Sequence, residues 1–211
     1  MARTIRTREG GRREAIASAA ARLFREKGFS GTGMRDLAGS VGIEAASLYN
    51  HIDSKAGLLR EICFRIADDC NAHLRDLEAT PGLDSLRRLE SVTRFHVRMW
   101  IERLDEVLVA TNEFRSLEEP WLEKFLNERR IYVRQVEAII SQGIRDGLVR
   151  PLEPYVVVLT IMSAVRGIEF WHRSRKNVSA ASLEESMVDL IVNGIRNDAA
   201  GTQDIHGPAL P

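Results

Sequence analysis

At 211 residues, with 44% apolar and 28% charged side chains, the chain suits one large domain or two small ones and is too apolar to be disordered over most of its length. No uninterrupted apolar run reaches the roughly 18 residues of a membrane helix, and the basic start from Arg3 to Arg13 lacks the apolar segment of a secretory signal, so a cytoplasmic location is expected. The formal charge is zero but sorted: residues 1–60 carry 11 Lys and Arg against 6 Asp and Glu, and the rest carry 19 against 24, so the N-terminal part alone attracts phosphates.

The first element is a supporting helix from Glu9 to Lys27, with Ile16, Ala20, Leu23 and Phe24 on one face and Gly28 placed to end it as a left-handed cap. Arg3, Arg6, Arg8, Arg12 and Arg13, around its start, suit a disordered basic arm reaching into a neighbouring DNA groove, or simply a soluble tail. Two short helices follow. Met34 to Val41 aligns Leu37, Ala38 and Val41, with the Thr32 hydroxyl placed to cap its opening amides. Gly42 makes a turn, and a second short helix runs from about Glu44 to His51. Two helices joined by a glycine-containing turn of three or four residues are what a helix-turn-helix requires. Ser47, Tyr49, His51 and Lys55 offer donors for a nucleic-acid backbone within about two helical turns. Alternatively, Leu48, Tyr49 and Ile52 are ordinary core residues and Lys55 is a solvated charge.

Thr32, Ala38, Val41-Gly42, Leu48-Tyr49, His51, Lys55 and Leu58-Leu59 together resemble the N-terminal signature of the TetR family of transcriptional regulators. The resemblance covers residues 10 to 60, with Gly33 and Ile52 as departures from the family pattern. On this reading Thr32 and Arg35 approach the DNA backbone from the first helix of the motif. Glu44, Ala45, Ser47, Leu48 and Tyr49 become the reading surface, with His51 and Lys55 as phosphate clamps.

A fourth helix, Lys55 to Leu77, carries Leu59, Ile62, Ile66 and Leu74 and stops at Pro81-Gly82. Its Cys63 and Cys70 lie about 10 Å apart along the axis, beyond disulfide reach, and read as packing residues of a reducing compartment. A fifth helix ends near Trp100, a sixth covers Leu104 to Phe114, and a seventh runs from Pro120 to Gly147. Val156 to His172 reads as a buried eighth helix and Leu183 to Ile195 as an amphipathic ninth. The expected fold is all-α with about nine helices: a three-helix DNA-binding domain over 1–54, a ligand-binding and dimerisation domain over 55–198, and a flexible tail over 199–211. The last two helices from each of two subunits would form a four-helix homodimer interface, which the resemblance also implies.

No enzyme site emerges. Glu169 and His172 have the spacing of a bundle metal pair, but the chain has no second Glu-x-x-His, and no phosphate loop or nucleophile elbow is present. Neither catalytic residues, metal nor cofactor is expected. Met99, Trp100, Asn112, Arg115, Arg166, Phe170 and Trp171 instead suggest a pocket for a small hydrophobic effector, although each has an ordinary packing or surface role open to it. Asn112-Glu113-Phe114-Arg115, Gly143 to Gly147 and Gly167 to Arg173 are similar to the branch of TetR-like regulators that respond to acyl-CoA thioesters. That similarity implies an acyl group in the pocket and CoA phosphates on Arg115, Arg166 or Arg173. The expectation is a dimeric repressor of a palindromic double-stranded DNA operator, with no membrane partner. A repressor responding to a hydrophobic drug or aromatic metabolite without CoA is the alternative. A helical metal-dependent enzyme and a ligand-independent architectural DNA binder stand further off.

Overall fold

The computed structural model describes residues 2–174 and 178–197, without side chains for 2–10 and 172–174. The elements are α1 (Ala2–Gly31), α2 (Met34–Ser40), α3 (Ala45–Leu48), α4 (Lys55–Ala79), α5 (Ser85–Glu102), α6 (Leu104–Asn112), a 3-10 turn (Phe114–Ser116), α7 (Trp121–Arg145), α8 (Pro154–Arg166), α9 (Ile168–Ser174) and α10 (Ala180–Ile195). The all-α expectation holds. The β-type pairing among the described residues is a single antiparallel bridge, Val149 with Arg196, which stitches the end of α10 to the α7–α8 connection.

Several expected boundaries shift for local reasons. The helix before the motif begins at Ala2, so the backbone expected as a disordered arm continues α1; the side chains of Arg3, Arg6 and Arg8 lie outside the described residues. Gly28 interrupts α1 at φ 76° and ψ 159°, a region only glycine enters readily, and one further turn follows it. The expected eighth helix is two. Gly167 and Phe170 donate to carbonyls three residues back, Ala164 and Gly167, and this tighter turn separates α8 from α9. The expected tail, 199–211, lies outside the described residues.

Caps explain where the helices start and stop. Ser54, Asp84 and Ser179 side chains accept from the amides of Gly57, Arg87 and Ser182, opening α4, α5 and α10. Gly42 ends α2 at φ 69°: its N–H donates to Gly39 O, and Ile43 N–H donates to Ala38 O. This is a Schellman stop, and it aims α3 across α2.

The core is continuous. The buried face of α1 (Ile16, Ala20, Phe24) packs on α4 and also on α6, while α4, α5, α7 and α8 enclose the centre of the body. Pro154–Trp171 is long and apolar enough to cross a membrane by length and composition. The turn at Gly167 divides it, and Val157, Val158, Ile161, Val165 and Ile168 are buried in the core of the body.

Candidate DNA interface and effector pocket

The reading element is short. Only Ala45–Leu48 is α-helical, with Glu44 at its N-cap, and Tyr49 to His51 continue as turn. Leu48 and Ile52, four residues apart, are buried and bolt it to the core, which leaves the opposite face outward. Tyr49 is 58% exposed, and Arg35, Glu44, Ala46 and Asn50 are exposed around it. Ala45, Ser47 and His51 are half-buried. Ala46 and Asn50 were not singled out from sequence, although the Leu48–Ile52 spacing marks the side on which they sit.

Three expected DNA contacts have other work. Thr32 is 1% exposed, and its hydroxyl donates to Gly28 O at 2.9 Å and Leu23 O at 3.3 Å, so it closes the end of α1 rather than capping α2. The α2 entry is held instead by Asp36, which accepts from Gly33 N–H at 2.9 Å and pairs with Lys27 at 2.8 Å. Leu48 is fully buried and presents nothing to a groove. Lys55 Nζ donates to Phe29 O at 2.8 Å and Thr32 O at 2.9 Å and lies 4.4 Å from the Phe29 ring centroid. Two of its three N–H donors are thus spent on carbonyls at the end of α1, where a cation offsets the helix dipole. Lys55 is a strut between α4 and the α1–α2 junction.

Phe29 is held from the body as well. Its N–H donates to Glu113 Oε2 at 3.1 Å, from the residue that follows α6, and Arg25 pairs with Asp105 at 2.7 Å. Arg13 pairs with Glu61 at 2.9 Å, tying α1 to α4.

In the body a cavity of about 360 Å³ opens between α4, α5, α6, α7 and α8. Met99, Trp100 and Arg166 line it as expected. Asn112, Arg115, Phe170 and Trp171 do not. Asn112 ends α6 and accepts from Arg166 at 3.2 Å; Arg115 swings outward on the 3-10 turn, over the Phe114 ring; Phe170 and Trp171 lie past the Gly167 break. The side chain of Arg173 is outside the described residues.

The wall that sequence did not reveal comes chiefly from α7, where Phe125, Arg129 and Tyr132 share one face, and from Ile66, Cys70 and Asn71 on α4. Its polar groups pair partly with one another. His96 Nε2 and Tyr132 Oη are 2.6 Å apart, and Asn71 Nδ2 donates to Glu128 Oε2 at 3.0 Å. Burial pushes the His96 pKa down to about 4, with His73 adding to the shift, so the ring is neutral near pH 7. Burial likewise raises the Tyr132 hydroxyl well above its ordinary value. Arg129 is exposed as a residue, yet its guanidinium lies over Phe114 and Phe125, with centroids at 5.1 and 5.8 Å. Desolvation, with Arg115 nearby, lowers its pKa from the ordinary arginine value. The cavity is therefore mainly apolar, with a neutral His–Tyr pair in its wall and three charged side chains on its lining, the cations Arg129 and Arg166 and the carboxylate Glu128.

Among the described residues no group of His, Cys, Asp and Glu could hold a metal ion; the His172 side chain is outside that set.

Residues 16–62 match the family model for bacterial regulatory proteins of the tetR family, and residues 82–195 match that for the tetracyclin repressor-like C-terminal domain. Over 189 residues the chain is 25% identical to the HTH-type transcriptional repressor KstR2 of Rhodococcus jostii RHA1, covering 89% of this chain and 92% of that one. The fold matches the ketosteroid transcriptional regulator KstR2 of Mycobacterium tuberculosis with a TM-score of 0.79 at 23% identity, over 89% of this chain and 96% of that one. It also matches AibR in complex with isovaleryl coenzyme A and operator DNA, with a TM-score of 0.71 at 25% identity, over 85% and 97% of the two chains.

Proposed function

The chain belongs to the TetR family of bacterial regulatory proteins, and on that premise we propose that it is a homodimeric one-component repressor released from its operator by a small, largely apolar effector. Membership makes it a DNA-binding transcription regulator and not an enzyme. The observation that carries the effector reading is the double engagement of α4. Its middle, Ile66 to Asn71, lines the cavity, and its first residue, Lys55, grips the α1–α2 junction behind the reading element. Eleven residues of helix, about 16 Å, separate the two ends. A ligand that favours one placement of α4 shifts the spacing of two recognition elements, and it depletes the DNA-binding state only by its differential affinity for the two placements.

An acyl group fits a cavity of this size and character, and the two lining cations, against the single carboxylate Glu128 that accepts from Asn71, suit an anionic appendage. Acyl-CoA thioesters are therefore the proposed effector class, supported by the bound ligand of AibR. The volume suits an acyl group and not a whole coenzyme, so a nucleotide would have to remain outside. An apolar drug or aromatic metabolite is the second reading, favoured by the apolar character of the wall. Footprinting on DNA flanking the gene, repeated with matched acyl-CoAs and free acids, tests both levels. Protection of a palindromic site that thioesters alone release is expected. No protected site rejects the operator reading, and release by free acids as readily as by thioesters rejects the coenzyme.

A further inference from the structure

Several polar side chains on the cavity lining are spent on the protein itself. Asn71 donates to Glu128, Thr111 Oγ1 donates to Val107 O at 2.7 Å, and Arg166 donates to Asn112, so each has a fixed partner. His96 and Tyr132 differ. They are the nitrogen- or oxygen-bearing side chains of the lining that are buried, each 7% exposed, and they meet between α5 and α7 with ring centroids 5.5 Å apart.

The pair has more donors than partners. A neutral imidazole carries one N–H and a phenol one O–H, and the contact between His96 Nε2 and Tyr132 Oη at 2.6 Å consumes one of the two. One donor is left over. If Nε2 carries the proton it donates to Oη, and the hydroxyl hydrogen is free; if the hydroxyl donates to Nε2, the proton sits on Nδ1 and that N–H is free. Among the described residues no carbonyl or other side chain accepts either one. His73, by contrast, has Ser91 Oγ within 3.2 Å.

Whatever fills the cavity has to meet that donor, and an apolar filling does not. The place suits the neck of a thioester. Arg129 precedes Tyr132 by three residues, about 4.5 Å of helix rise, on the same face of α7 and is exposed as a residue, so the pair stands one turn inside the rim. An acyl chain running past the pair into the apolar interior leaves its carbonyl beside the free donor and directs the coenzyme outward. Resting on the acyl-CoA reading above, we infer that His96 and Tyr132 are the specificity-determining residues of the effector site: together they donate one hydrogen bond to the thioester carbonyl oxygen. The cavity thereby selects an acyl compound over an alkyl compound of the same size. A methylene in the carbonyl's place leaves the donor unmet, which is how a site built around a hydrogen bond rejects the analogue that lacks it.

The test measures binding to the full chain by calorimetry. The probes are octanoyl-CoA and cyclohexanecarbonyl-CoA, each matched with the thioether that replaces its carbonyl by methylene, S-octyl-CoA and S-cyclohexylmethyl-CoA. Because either residue alone still offers a donor, the variant is the double substitution His96→Phe with Tyr132→Phe, which removes both partners together; circular dichroism reports its folding. The wild-type protein is expected to bind a thioester at least about tenfold more tightly than its thioether. The double variant is expected to bind the two alike. A wild-type protein that binds thioester and thioether equally, or a folded double variant that still prefers the thioester, overturns the role of the pair and leaves the acyl-CoA reading standing. Failure of all four probes to bind the wild-type protein removes that reading and the inference with it. If the double variant does not fold, the infrared carbonyl stretch of octanoyl-CoA, isotope-labelled at the carbonyl carbon and bound to wild-type protein, replaces it. A stretch at or below its frequency in water supports the hydrogen bond, and a rise towards its frequency in hydrocarbon solvent overturns it.

Discussion

The Glu113 carboxylate accepts the backbone N–H of Phe29 at 3.1 Å, across 84 residues of sequence, and on the other side of Phe29 its carbonyl accepts from Lys55. One peptide segment at the end of α1 is thereby gripped by the end of α6 and the start of α4, two helices that also line the effector cavity. Glu113→Ala removes one grip. A partly buried donor that loses its acceptor costs about 1–3 kcal/mol. The expected outcome is a small loss of thermal stability and a reduced ability of bound effector to lower operator affinity, read as the ratio of operator Kd with and without effector. An unchanged ratio would show that the signal does not pass this contact.

Tyr49→Ala and Lys55→Ala should fail differently. Tyr49 is exposed beside the short reading helix, so its loss should weaken operator binding by tenfold or more while the unfolding midpoint stays within a degree or two. Lys55 secures two carbonyls, and charge-assisted hydrogen bonds of this kind are worth roughly 1.5–3 kcal/mol. Its removal should lower the midpoint by several degrees, with weaker operator binding as a consequence. Mobility-shift titrations paired with thermal melts separate the two; a Lys55→Ala protein of unchanged stability would return that residue to a phosphate-clamping role.

Acid should destabilise the protein through His96. Its folded pKa, about 4, lies below the ordinary value near 6.5, so above pH 6.5 both states are neutral and the stability is intact. As pH falls from 6.5 towards 4, the unfolded chain takes up a proton that the folded chain refuses. Stability then declines at about 1.4 kcal/mol per pH unit, to a total of roughly 3 kcal/mol. His96→Phe should flatten that part of the stability profile in urea melts between pH 4 and 7. A profile of undiminished slope in the variant would assign the loss to other groups.

Gly143 lies where α7 meets α5 and the following turn. A Cβ there would come within 2.6 Å of Val149 Cγ2 and 3.1 Å of Ser85 Cβ, both on short, stiff side chains. Overpacking of this kind costs about 1–3 kcal/mol, so Gly143→Ala should melt several degrees lower. A melt equal to wild type would mean the contact relaxes freely.

The helices and the turn of the motif were legible because their signals are local: Gly42 forms a Schellman stop within six residues, and Ser54 caps within three. Site membership was less legible because it depends on exposure. Thr32 and Lys55 have donor chemistry suited to phosphate, yet tertiary partners consume it, and Leu48 faces the core. The cavity was harder still. Phe125, Arg129 and Tyr132 look like one ordinary helical face until α4, α5 and α8 converge on it, and the turn at Gly167 that sets Phe170 and Trp171 beyond the wall has no strong sequence mark.

The contact of α1 with α6, secured by Arg25–Asp105 and Glu113–Phe29, bears on how this regulator can be re-engineered. A chimera spliced at Ser54 would carry the reading element away without the floor on which Ile16, Ala20 and Phe24 rest. A graft extended through Glu113 keeps that floor and, on the proposed route through α4, the contacts that would receive the effector signal, so specificity and responsiveness would travel as one cassette.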